Sequence, residues 1–210
     1  MTSHHRIDVV AGAQRPIVRK VALTETGRDR LQREATRLLR ARHPGVVELL
    51  DAQEQQLELD WAGQDTLAAH RGSPIESAGI MALVATTVAD LHELGIIHGR
   101  LDLSHVIVGA DRRPRLCGLR GPDPGSDPTP ADDVAALGEL LRDLGDTHDE
   151  PASDHRRARR HEQTARRSLI SLVDRATDDD PARRPTSRAL AASLAEIVGD
   201  GHVAWVRSAP

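Results

Sequence analysis

The residues best able to do chemistry cluster in one stretch. His98, Arg100, Asp102 and His105 fall within eight positions, Gly99, Leu101, Leu103 and Ser104 between them. A histidine beside a carboxylate is the usual start of acid–base work. Arg100, though, can never accept a proton near neutral pH. His98, Asp102 and His105 could be read as a zinc site, but their spacing has no established metal signature. Arg100, Arg115 and Arg120 lie close in sequence and are expected to converge on one cleft. Either they neutralise Asp102 and Asp133, or they form an anion pocket for a phosphate or a phosphorylated peptide. The run His155–Arg167 (HRRARRHEQTARR) is basic but carries no aromatic residue on which a base could stack. It reads as a solvated face or a dock for an acidic partner, not a nucleic-acid site.

These residues need elements to hold them. Arg6–Ala13 and Pro16–Thr24 read as strands, with β-branched and apolar residues on either side of a turn. Asp29–Ala41 reads as an amphipathic helix carrying Leu31, Ala35, Leu38 and Leu39 on one face, and His43-Pro44-Gly45 stops it. Val46–Leu50 and Gln56–Trp61 read as two more strands. The character then turns helical: Ser77–Leu94 capped by Gly95, a helix after Thr129-Pro130, then Ser168–Thr177 and Thr186–Val198. Val106–Val108 and Arg115–Cys117 form an expected hairpin. Gly121–Pro130 is a Pro/Gly-rich loop, and Asp146–His161 is polar, charged and expected to be mobile. The order is that of an α+β fold of two lobes. Residues 1–62 form a small β-rich lobe, 63–199 a helical lobe, and 200–210 a tail.

Composition narrows the class. Of 210 residues, 39% are hydrophobic, which suffices for a core. That core must be aliphatic, because Trp61 and Trp205 are the only aromatic rings of the Phe, Trp and Tyr kind. A net charge of −4 does not suggest a nucleic-acid partner. The single cysteine, Cys117, excludes an internal disulfide framework and fits a reducing compartment. Lys20 is the only lysine, and the Arg-, Ala- and Gly-rich usage fits a GC-rich bacterial genome. The N-terminus shows no basic start followed by an apolar run. The apolar stretch Gly79–Ala89 is too short and too polar to span a bilayer. The expectation is a cytoplasmic protein with no membrane segment.

Leu91–Val108 (LHELGIIHGRLDLSHVIV) resembles the catalytic-loop region of protein kinases, whose motif reads H-R-D-L-x-x-x-N. Other segments resemble the family in the same order: Val21–Thr24 its V-A-I-K strand, Glu34 the glutamate of the helix after it, and Leu57–Gly63 the hinge. Ala131–Gly138, with Asp133 as a buried anchor, resembles the start of a later helix, and Asp180–Pro185 the D-P-x-x-R-P stretch. The resemblance covers about Arg6–Val198 and implies a protein-kinase-like fold with a reduced N-lobe.

The resemblance also implies what is missing. Phosphoryl transfer needs the triphosphate held, magnesium bound and a hydroxyl proton accepted. At this register the phosphate lysine is Thr24, the catalytic Asp is Arg100, and the metal-holding Asn is His105, a poor magnesium ligand. The loop lysine is Asp102, and D-F-G falls on Gly118-Leu119-Arg120. Lys20 lies about 13 Å from Thr24 along a strand, too far to stand in for it. No glycine-rich loop precedes Arg6. Only 15 positions separate Gly118 from Asp133, too few for an activation segment, which leaves Arg184 without its A-P-E partner. Losing a general base alone costs about 10²–10⁴-fold in rate.

The reading is therefore a catalytically inactive, kinase-like regulatory or scaffolding protein. It would act through protein contacts, with an active kinase or its substrate as a candidate partner and no cofactor. Two alternatives stand beside it. One is a residual Ser/Thr kinase or ATP-binding switch, with ATP and magnesium, supported by the retained Glu34, Asp133 and Ala22, the last at a position that touches adenine in the family. The other is a phosphopeptide or anion module using the cleft arginines. Ala22, Glu34, Arg100 and Arg120 are the cleft candidates. Glu34 is either a solvated helix residue or the partner of Arg120 or Arg100. The Trp205 tail either packs on the domain or serves as a partner-binding peptide.

Overall fold

The computed structural model describes residues 4–122, 125–146 and 156–199. The fold is mixed α+β, with five α-helices and two antiparallel sheets among those residues. Strands β1 (His5–Ala11), β2 (Pro16–Ala22), β3 (Leu49–Gln53) and β4 (Gln56–Asp60) form a sheet in the order β1-β2-β4-β3. Helix α1 (Glu25–Arg40) packs on it through Leu31, Ala35 and Leu38. Thr24 starts this helix: its hydroxyl accepts from the Gly27 amide at 3.0 Å. Glu25 and Arg40 suit opposite ends of the helix dipole.

The second sheet is smaller. Strands β5 (Asp65–Thr66), β6 (Val106–Val108) and β7 (Pro114–Leu116) run in that order. Helices α2 (Pro74–Glu93), α3 (Pro130–Asp146), α4 (Arg156–Ala176) and α5 (Ser187–Val198) complete the fold. Helix α2 opens with a full capping box, Ser73 to the Glu76 amide and Glu76 back to the Ser73 amide. It is long and apolar enough to cross a membrane, longer than its sequence suggests, but 61% of its apolar window is buried inside the fold. It packs most heavily on α5 and α3. One aliphatic core runs from Leu31 and Leu57 through Met81 and Val88 to Leu137 and Leu194.

Several boundaries differ from expectation. The first helix begins at Glu25, not Asp29, and β3 lies at Leu49–Gln53, three residues later than Val46–Leu50. Val46 makes only an isolated parallel bridge to Leu116. The last part of the segment expected to be mobile is helical: α4 begins at Arg156 and takes in the basic run from there on, because the arginines are good helix formers. Residues 147–155 and the Trp205 tail lie outside the described residues.

Candidate functional site: a buried ion pair above a histidine-filled loop

The upper part of the site is an ion pair. Lys20 lies in β2, opposite Ile7 of β1 and Leu57 of β4. Its Nζ donates to Glu34 Oε1 of α1 at 2.6 Å, with the two side chains 9% and 3% exposed. Glu34 is therefore not a solvated helix residue, and Lys20 is a partner the sequence did not suggest. The strand ends at Ala22 and Thr24 is already the helix cap, so Thr24 cannot be the strand's charged position. The two-residue turn between strand and helix brings Lys20 to Glu34. Ala22 sits at the strand end opposite His5, donating its amide to the Gln55 carbonyl at 2.8 Å.

Two neighbours feel this pair. Burial pushes the Cys117 thiol up to about 11; Lys20 opposes the rise, and Glu34 and Asp102 reinforce it. The thiol is protonated and unreactive at neutral pH. Burial and the Lys20 charge hold the His5 imidazole below its ordinary value, with Glu34 acting the other way.

The lower part is the loop from Ile96 to His105. Asp133, 1% exposed near the start of α3, organises it. Its carboxylate accepts from the His98 amide at 2.8 Å, the Gly99 amide at 2.8 Å and His92 Nε2 at 2.9 Å. Ser187 at the start of α5 lies 3.2 Å from the other His92 nitrogen, Nδ1, to which its hydroxyl donates. His98 is fully buried and donates Nε2–H to the Cys117 carbonyl at 3.1 Å. Among the described residues its Nδ1 is buried and finds no hydrogen-bond partner. A second proton there would be stranded, and burial lowers the pKa to about 4 despite the attraction of Asp133.

Asp102 is a capping residue. It accepts from the Ser104 and His105 amides at 2.8 and 3.1 Å and pairs with His105 Nδ1 at 2.8 Å. Burial opposes its ionisation, but the Ser104 hydrogen bonds and the His105 charge win and hold its pKa below the usual range. The His105 ring then meets His98 edge-on, with centroids 5.7 Å apart. It also fills the space beside Gly118. That glycine has φ +75°, and a Cβ on it would lie 2.3 Å from His105 Cδ2. Gly118 and His105 are thus a matched pair: a ring on one side requires no side chain on the other.

Arg115 and Arg120 do not share a cleft. Arg100 is exposed. Arg115 reaches Asp111 at 2.7 Å and lines a cleft with Asp60, Trp61 and Gly109. Arg120 lines a separate groove with Asp29, Arg33 and Arg37 of or beside α1. Arg184 has partners after all, the carbonyls of Asp178 and Ala131 and the Asp132 carboxylate. Among the described residues, no group of three or more His, Cys, Asp or Glu side chains stands where it could hold a metal ion.

Sequence reasoning missed the Lys20–Glu34 pair and the His92–Asp133 contact. The signal for the first was the helix cap at Thr24, which fixes where the strand must end. No protein-family model matches the chain, and no curated protein matches it.

Proposed function

We propose that this chain is a non-catalytic protein with a protein-kinase-like fold, working through protein contacts. Support comes from the element order, from a strand lysine paired with a helix glutamate, and from Asp133 bonding the loop amides of His98 and Gly99. On this reading Ile17-Val18-Arg19-Lys20 takes the V-A-I-K place, four residues earlier than the sequence suggests. The lysine is then retained, Val18 replaces Ala22 as the adenine-facing candidate, and lysine loss no longer argues against activity.

The observation that carries the reading is the filled floor. Magnesium requires oxygen ligands. Gly118 has no side-chain carboxylate to supply one, and the His105 ring fills the space beside it, its Nδ1 2.8 Å from Asp102. The residues present do not fit a magnesium–nucleotide complex, and Arg100 cannot serve as a base. A fold that works by contact can discard these groups and keep those that orient its elements.

One observation favours a second reading, binding of a nucleotide or other phosphate without transfer. Lys20 carries three N–H donors, of which Glu34 engages one. An anion entering beneath β2 could take another.

Thermal melting with ATP and ADP, with and without magnesium, alongside a phosphotransfer assay, tests both. The expected result is no phosphotransfer and no magnesium-dependent shift. A metal-independent shift abolished by Lys20→Met establishes the second reading. Phosphotransfer that survives purification and is lost in Lys20→Met overturns the first. A pull-down from the native host would identify the partner, an active kinase or its substrate being the leading candidates.

A further inference from the structure

Among the described residues, strand β1 is the outer edge of its sheet, paired with β2 on one side only. The backbone pattern fixes which groups face outward. The Leu23 amide donates to the His4 carbonyl and the Gly12 amide to the Arg15 carbonyl. Even-numbered residues of β1 therefore bond to β2, and the N–H and C=O of Ile7 and Val9 point away from the sheet. Their side chains share the Lys20 face, since Ile7 lies opposite Lys20 and Val9 opposite Val18. Both are strongly exposed, Ile7 at 54% and Val9 at 61%. Arg6 and Asp8 occupy the other face, bonded to each other at 2.7 Å.

An exposed seven-residue edge carrying two bare β-branched residues is a template for another strand. Its charges select the occupant. We propose that β1 pairs antiparallel with β1 of a second copy, Ile7 opposite Ile7, joining two four-stranded sheets into one of eight. In this register Arg6 of each copy stands opposite Asp8 of the other, twice by symmetry. Those positions are the non-hydrogen-bonded ones of the new ladder, where side chains approach most closely. Ile7 meets Ile7, and His5 meets Val9, on the opposite face. Sliding by two residues would set Asp8 against Asp8 in the close position, which like charges disfavour. The strand is self-complementary in one register.

Sedimentation velocity of the full chain from low to high micromolar concentration tests this. The wild-type chain is expected to move from monomer to dimer. Asp8→Arg sets arginine against arginine twice and is expected to weaken the dimer about tenfold or more. The charge swap Arg6→Asp/Asp8→Arg restores opposite charges in the proposed register and should restore the dimer. Ile7→Pro removes an edge-facing N–H without costing the isolated sheet a hydrogen bond, and should also give monomers. Circular dichroism checks that each variant is folded, and one that is not is replaced by the other. A wild-type chain that stays monomeric overturns the proposal. So does a dimer indifferent to Asp8→Arg and Ile7→Pro, or a swap that fails to restore it.

Discussion

The upper and lower halves of the site are built from different physics. Above, Lys20 and Glu34 hold a charge pair at 2.6 Å inside the protein. Below, the loop from His98 to His105 is held by imidazole rings, amides and capping bonds, with Asp133 as its deeply buried carboxylate. The first arrangement orients a helix against a strand. The second spends its polar groups on its own shape: Asp102 caps, His105 packs, His98 tethers. In both halves most of the charged and polar side chains are engaged by neighbours within the fold.

This contrast can be broken from either side. The largest effect is expected at Asp133→Ala, which strands two amides and one imidazole N–H. At about 1–3 kcal/mol for each lost partner, the total is about 5 kcal/mol in a denaturant melt. Next, Glu34→Ala should cost about 3–5 kcal/mol, because it leaves the Lys20 charge buried without a counter-ion. The double replacement Lys20→Met/Glu34→Leu should recover most of that, and a double that stays as unstable as the single would mean the pair is not the source.

The lower half should respond to pH. His98 is neutral when folded, its pKa pushed from 6.5 to about 4. Below pH 6.5 the unfolded chain takes a proton that the folded chain refuses. Stability should fall as pH drops from 6.5 towards 4 and level off below that, by about 3 kcal/mol in all. His98→Gln should flatten the slope in that window. The smallest effect is expected at Gly118→Ala, about 1–3 kcal/mol from the positive φ and the His105 contact. Adding His105→Ala should relieve the contact part only, so the two costs should not sum.

The sequence carried the elements better than their ends. The stripe Leu31, Ala35 and Leu38 declared the first helix, because burial on one face leaves a period. The error at Thr24 shows what pattern cannot supply. Val21-Ala22-Leu23-Thr24 reads as strand by propensity, yet Thr24 is also a good helix cap, and the cap won. That shift of a few residues hid the Lys20–Glu34 pair. The Gly118–His105 match was legible only as two separate departures from the motif the sequence resembles, because complementarity of volume across thirteen positions leaves no trace in either residue alone. The arginines were misjudged for a similar reason: nearness in sequence says nothing about which way a hairpin turns Arg115.

The chain of contacts from Ser187 through His92 to Asp133 has a kinetic consequence. The amides of His98 and Gly99 belong to a loop, where hydrogen exchange is ordinarily fast. Here both are bonded to Asp133 of α3, whose carboxylate also holds His92 of α2, which in turn meets Ser187 of α5. These two loop amides should therefore exchange with solvent as slowly as the core of α2, marking the loop and three helices as one cooperative opening unit.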